Sequence, residues 1–470
     1  MTILETASGR VRGTTGDDGV AVFKGIPYGA AARFAPPRPV AAWTRVRDAV
    51  EFGPQAPQVP GFLEQAFGLA DWPMSEDCLS LNVWTPAAGR PGAGLPVLVW
   101  IHGGAFINGT GAVPWNDGTA FARRGCVLVT INYRLGALGF THLADLDGER
   151  FAGSGNLGLL DQVAALQWIH DSIVSFGGDP SQVTIFGESA GGASVASLLT
   201  CPAATGLFSG AIAESPAFLQ LRTRDEATVA AEKYLAALDA RPAELVDVPL
   251  DRLLAAQQSA FAGPELFTAF APTPDGTVLP APVIDGLAAG AGADVPFVLG
   301  TNRDELYLFT ALDGRAASLD DDGLAVVAER HARGDAAALI ATYTAVRPGR
   351  RGGRRSGRPR RAHVAVPLRL GHTDVRRPAR RVPRPGDPVR VPRAARAERR
   401  GVPRRRRRAG GHRRRHPRRL GSLRHHGRSG LAAVRPRAAA DDALRRHQRG
   451  RARPRRRTAS YLGPMTSVTS

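Results

Sequence analysis

Cysteine is scarce in this chain. Its 470 residues hold three, Cys78, Cys126 and Cys201. An odd number without paired spacing argues against a disulfide framework and against a zinc site. Long apolar runs are lacking too, so no segment is expected to span a bilayer. The opening MTILETASGRVRG has no apolar stretch of the kind that heads a secretory signal. A cytoplasmic protein with no membrane partner is the expectation. Acidic residues are nearly missing from residues 346–470, which hold 5 of the 42 Asp and Glu but 41 of the 62 Lys and Arg. None of those 41 is a lysine. The formal net charge of +20 therefore averages −16 over residues 1–345 and +36 beyond them. The overall basic balance says nothing about the partners of the acidic first part.

What the first part does contain is alternation. LPVLVWIHGG (95–104), CVLVTINYRLG (126–136), QVTIFGESAGG (182–192) and PFVLGTNRDE (296–305) are short apolar runs, each closing in a glycine-rich or polar turn. Amphipathic stretches lie between them, such as LLDQVAALQWIHDSI (159–173) and RDEATVAAEKYLAALDA (224–240). β-branched runs alternating with helices predict an α/β fold, a mostly parallel central sheet with helices on both faces. Catalytic groups in such sheets sit where strands end and loops begin. Residues 346–470 show no period of 2 or 3.6 and cannot bury a core, so disorder is expected there. The chain divides on this reading into residues 1–345 and 346–470.

GESAGG at 187–192 fits G-x-S-x-G, with a strand-like VTIFG before it and a helix-like AGGASVASLL after it. The small residues permit a sharp turn that lifts Ser189 out at the end of the strand. The helix N-terminus then turns its free N–H groups toward the reacting centre. FGGDPSQVTIFGESAG, from Phe176 to Gly191, resembles the active-site signature of the type-B carboxylesterases, the cholinesterase-like family of the α/β-hydrolase fold. SEDCLSLNVWTP (75–86) resembles that family's second signature. FKGIPYG (23–29), RFAPP (33–37), INYRLGALGF (131–140) and GNLGLLDQVAALQW (155–168) also resemble family segments, in the family's order. The resemblance runs over roughly residues 5–345.

It implies a serine hydrolase acting on small-molecule carboxylic esters, without a cofactor or metal. Ser189 would be the nucleophile, and the backbone amides of Gly104 and Ala105, from HGGAF (102–106), would join that of Ala190 in an oxyanion hole. His102 would shape that loop. The triad acid would be Glu305 in GTNRDE, with Asp304 as the competing carboxylate. Glu76 and Arg134 resemble a structural ion pair of the family, and Ser215 a hydroxyl beside the triad. Cys78 matches a position that is disulfide-bonded in secreted relatives. With no upstream cysteine, it is expected to be a free buried thiol.

The base is the missing member. Residues 1–345 offer His102, His142, His170 and His331, none within a segment resembling the family's histidine motif, which would fall near residue 400. The histidines at 363, 372, 412, 416, 425, 426 and 447 lack that setting as well. A displaced reading frame accounts for this. Codons built from the last two bases of each residue and the first of the next, over Leu420–Arg437, permit Trp-Ala-Ala-Phe-Ala-Thr-Thr-Gly-Asp-Pro-Gly-Trp-Pro-Arg-Tyr-Asp-Pro, which resembles a C-terminal segment of the family. Across Val402, Pro403 and Arg404 the same operation permits Cys-His. The shift is expected near residues 346–352, and the chain as written is expected to be a crippled esterase. Two other classes compete. An arginine-rich arm binding nucleic acid would explain the tail's charge, but its abrupt onset and lack of lysine argue against it. A non-catalytic, cholinesterase-like binding protein would usually have lost the serine, which is intact here.

Overall fold

The computed structural model describes residues 1–61, 65, 72–216, 222–261, 265–303, 305, 320–331 and 335–346. The arginine-rich segment, with the readings of disorder and a displaced frame made for it, lies outside the described residues from 347 onward.

Ten strands form the sheet: β1 (Thr2–Thr6), β2 (Gly9–Thr15), β3 (Ala21–Pro27), β4 (Arg47–Asp48), β5 (Ser80–Thr85), β6 (Leu95–Ile101), β7 (Val127–Ile131), β8 (Gly178–Glu188), β9 (Gly210–Glu214) and β10 (Phe297–Gly300). Their order is β1-β2-β3-β5-β7-β6-β8-β9-β10, with β4 beside β2. From β7 to β10 every pairing is parallel, and from β1 through β5 to β7 the pairing is antiparallel. The parallel half was legible as apolar runs. The antiparallel half was not, because its strands mix charged and apolar residues and are joined by tight turns such as Ala7-Ser8.

The parallel half is wound through helices. Helix α1 (Leu157–Ser172) connects β7 to β8, and α2 (Ala190–Thr200) connects β8 to β9. Two more, α3 (Arg224–Leu238) and α4 (Leu250–Ala260), precede β10. Thr223 caps α3, accepting from the Glu226 amide, while the Glu226 carboxylate accepts from the Thr223 amide. That T-x-x-E pattern sets the helix start. Along β6 the side chains alternate. Val97, Val99 and Ile101 are fully buried in one core with Val183 and Ile185 of β8, Leu166 and Ile169 of α1, and Ala193 of α2. Leu98 and Phe186 belong to the opposite face and join Trp84 and Leu128 in a smaller cluster.

The expected ion pair between Glu76 and Arg134 is not formed. Arg134 pairs with Asp161 of α1 through two guanidinium bonds of 2.8 and 2.7 Å, both side chains buried. It also donates to the carbonyls of Ala32 and Ala35. Glu76 instead receives Arg33, at 2.6 and 2.5 Å, nearer the surface. The reason is depth. A guanidinium taken out of water needs a bidentate carboxylate and its remaining N–H groups satisfied, and only Asp161, which has no exposed side-chain surface, lies deep enough. Cys78 is a free buried thiol, as expected, and burial pushes it well above the ordinary thiol range.

Removing Asp161 should leave Arg134 buried without its counter-charge. We expect Asp161→Ala to lower the free energy of unfolding by about 3–5 kcal/mol, and Glu76→Ala by about 1 kcal/mol or less. Urea denaturation of both variants checks the order, and a larger loss at Glu76 would reverse this assignment.

Candidate active site

The order β7-β6-β8 makes a switch point, since the chain leaves β6 in one direction and later passes to β8 on the other side. A crevice opens at such a point beyond the carboxyl ends of the strands. The register brings those ends level: Ile101 pairs with Gly187, Glu188 with Glu214, and Glu214 with Gly300. The next residues are His102, Ser189, Ser215 and Thr301. Two hydrogen bonds carry the ladder past the strands, from the Ser189 amide to the Glu214 carbonyl (2.9 Å) and from the Ser215 amide to the Gly300 carbonyl (2.7 Å).

Ser189 is held at φ 57° and ψ −117° between β8 and α2. A side chain pays about 1–3 kcal/mol for such a conformation. It persists because the surroundings leave no alternative. A Cβ on Gly191 would run into the Ile101 carbonyl oxygen, so α2 can start this close to β6 only with glycine there. The loop after β6 approaches from the other side. A Cβ on Gly103 would stand 2.7 Å from the Glu188 carbonyl oxygen and 3.3 Å from Cβ of Ser189. The strand end, the nucleophile turn and the 102–106 loop are thus in backbone contact. Ala105 (φ 54°) and Phe106 (φ 61°) are also in left-handed conformations, inside a turn closed by bonds of 3.0 Å from the Ile107 and Asn108 amides to the Gly104 carbonyl. Among the described residues, the amides of Gly104, Ala105 and Ala190 donate to no acceptor.

Glu305 sits in the turn after β10. It accepts from the Asn302 amide at 2.5 Å, and the Asn302 side chain reaches both Glu305 (3.4 Å) and the Ser215 hydroxyl (3.3 Å). Ser215 is therefore tied to the turn that carries Glu305. Asp304, the competing carboxylate, lies outside the described residues. The Glu188 carboxyl is pushed above its ordinary range, first by loss of surrounding water and then by the like charges of Glu305 and Glu214. Sequence reading had given Glu188 no part.

His102 is buried, stacked on Tyr133 with ring centroids 4.4 Å apart, and donates from Nδ1 to the Gly103 carbonyl at 2.8 Å. Burial lowers its pKa from 6.5 to about 4. It shapes the loop, as expected. His142 is buried beside Asp145, and His170 is exposed beside Asp171. None of these three rings bonds to Ser189 or Glu305. Among the described residues no group of three or more His, Cys, Asp or Glu is placed to hold a metal ion, and no helix is long and apolar enough to cross a membrane.

Four side chains that hold the 102–111 loop escaped the sequence reading. Tyr133 Oη donates to the His102 carbonyl at 2.8 Å. Asn132 Oδ1 accepts from the Gly111 amide at 2.8 Å and Thr130 Oγ1 donates to the Gly111 carbonyl at the same distance. Gln58 bonds to Gly109 from a proline-rich stretch, PQAPQVPG, that has no periodicity to mark it. Only INYRLG carried a signal, in the motif that contains Asn132 and Tyr133.

Comparison with known proteins agrees with this fold. The family model described as the carboxylesterase family matches residues 1–335. The chain is 43% identical over 325 residues to the para-nitrobenzyl esterase of Bacillus subtilis, covering 66% of this chain and 64% of that one. It is 40% identical over 318 residues to the fumonisin B1 esterase of Sphingopyxis macrogoltabida, covering 66% and 57%. It thus spans less than two thirds of the length of these relatives. A crystal structure of a Geobacillus stearothermophilus carboxylesterase superposes with a TM-score of 0.68 at 42% identity, over 75% of this chain and 72% of that one. The fold is that of the α/β hydrolases.

His102 supplies a pH test. Its folded-state pKa lies below the 6.5 of an ordinary histidine, so the unfolded chain takes up the proton first as pH falls. The stability held by its neutral burial is complete above pH 6.5 and is lost progressively as pH drops toward about 4. We expect the His102 ring to remain neutral at pH 6 in an NMR titration. Protonation with an ordinary midpoint would contradict the buried, stacked position.

Proposed function

Because the chain belongs to the carboxylesterase family, we propose that it is built to hydrolyse small-molecule carboxylic esters through an acyl-enzyme at Ser189. Ser189 Oγ attacks the acyl carbon, and the carbonyl electron pair moves onto oxygen. The amides of Gly104, Ala105 and Ala190 donate to that oxyanion, worth about 3–4 kcal/mol for a single donor in a comparable site. The intermediate collapses with loss of the alcohol. Water then attacks the acyl group, and the acid leaves with Ser189 restored. Glu305 is the acid that would orient the histidine and stabilise its cation. The observation that carries the reading is the strained Ser189 turn with Gly103 packed against it at the strand ends. The names of the relatives, both esterases, support the substrate class.

The base belongs to the second part of the proposal. A serine hydroxyl without one is a poor nucleophile at neutral pH. We assign the base to the segment encoded after residue 345 in the displaced frame, so that the chain with its arginine-rich end hydrolyses esters poorly. The thiols of Cys78, Cys126 and Cys201 are unpaired, which fits a reducing compartment such as the cytoplasm.

Two measurements test this. Resequencing the codons for residues 340–355 should find a missing or extra base. The chain with its frame restored should hydrolyse a short p-nitrophenyl ester roughly 10⁴- to 10⁶-fold faster than the 470-residue chain, the cost of losing a triad base. Equal and ordinary rates would remove the displaced frame from the account. Failure of the restored chain to turn over any such ester, or labelling by a fluorophosphonate that persists in Ser189→Ala, would remove the acyl-enzyme.

A further inference from the structure

Gln58 makes an unusual pair of bonds. Its Oε1 accepts from the Gly109 amide at 2.8 Å, and its Nε2 donates to the Gly109 carbonyl at 3.0 Å. The side-chain amide thus occupies both polar groups of one backbone residue, as a neighbouring strand would. The remaining Nε2 proton goes to the Ala56 carbonyl at 3.0 Å, and the side chain is buried, with 2% of the residue exposed. Every hydrogen-bonding group that fixes its orientation is used.

Gly109 is the far end of the loop that faces Ser189. Its φ is 112°, and a Cβ there would stand 2.5 Å from the Gly103 carbonyl oxygen and closer still to Nδ1 of His102. Any shift of Gly109 is therefore passed to His102 and Gly103. Between Gly103 and Gly109 run the left-handed Ala105 and Phe106, a turn that would relax if its ends were free. The two ends are held by different groups: Tyr133 Oη on the His102 carbonyl, and Gln58 on Gly109.

We propose that Gln58 is a positioning residue for acyl transfer, clamping Gly109 so that the amides of Gly104 and Ala105 keep the spacing an oxyanion requires. The inference rests on the acyl-enzyme reading above. Gln58 touches no reacting atom and acts through the loop. Displacing donors by about 1 Å costs on the order of 10²-fold in rate.

The test uses the chain with its frame restored, which carries the triad base and is the parent here, and the second-order rate at which a fluorophosphonate labels Ser189, read by mass spectrometry. The phosphoryl oxygen of the probe takes the place of the oxyanion, so the rate reports the loop. In Gln58→Leu both bonds are lost, and labelling should slow roughly 10- to 100-fold. Thermal unfolding is followed in parallel. In Gln58→Glu the carboxylate still accepts from the Gly109 amide but faces the Gly109 carbonyl with a negative charge. The buried acid has a raised pKa, and its protonated form can donate again. The ratio of variant to parent rate should therefore recover as pH falls from 8 to 5. That pH dependence is what a merely structural glutamine would not produce. Labelling of Gln58→Leu within twofold of the parent overturns the proposal. So does a loss in both variants that follows the loss of folded protein and is the same at every pH. A parent chain whose Ser189 never labels removes the nucleophile reading itself, an outcome distinct from either.

Discussion

Three backbone segments meet where no side chain could fit, and the site depends on that meeting. The end of β6, the turn at Ser189 and the start of α2 approach so closely that Gly191 has no room for a Cβ beside Ile101, and Gly103 none beside Glu188. Close packing of main chain on main chain fixes relative positions more tightly than side-chain contacts do, because there are no rotamers to adjust. The strained dihedrals of Ser189, Ala105 and Phe106 persist within this contact. Rigid strands supply the reference frame, and the loops carry the reactive groups.

Much of this was legible. G-E-S-A-G between an apolar run and a small-residue helix located Ser189, and HGGAF after LPVLVWI located the loop opposite it. These signals survive in sequence because they are steric: a Cβ at Gly103 or Gly191 would run into a backbone oxygen, so glycine is required at both. The parallel strands were legible for a related reason, since β7, buried throughout, leaves no polar alternation to confuse it. What was not legible depends on distance through space. Arg134 and Glu76 lie in motifs of the same family resemblance, yet the partner of Arg134 is Asp161, which lies inside an amphipathic helix and looks there like any surface carboxylate. Gln58 and Gly109 are 51 residues apart, and neither has local chemistry that points to the other.

The acidic groups at the strand ends show how position decides role. Glu188, Glu214 and Glu305 converge at the carboxyl end of the sheet, and the Glu188 carboxyl is raised partly by its neighbours. Mutual repulsion of this kind makes protonation easier and makes a nearby cation more favourable. Imidazolium forming at such a place would be stabilised by more than one carboxylate, with Glu305 the one fixed by hydrogen bonds to Asn302. Arg134 and Asp161 form the opposite case, a pair sealed from solvent that holds the INYRLG segment against α1 and, through Arg134, the carbonyls of Ala32 and Ala35.

The three cysteines differ in a way that has a practical consequence. Cys78 and Cys201 are buried, with thiols that burial makes harder to ionise, whereas Cys126 is only partly covered. It stands immediately before β7, at the amino end of a central strand, and so on the opposite rim of the sheet from Ser189. The 470-residue chain is therefore already a single-attachment scaffold. A maleimide dye or a tether to a solid support would join at one point, with its bulk directed away from the crevice, and no cysteine would have to be engineered out beforehand.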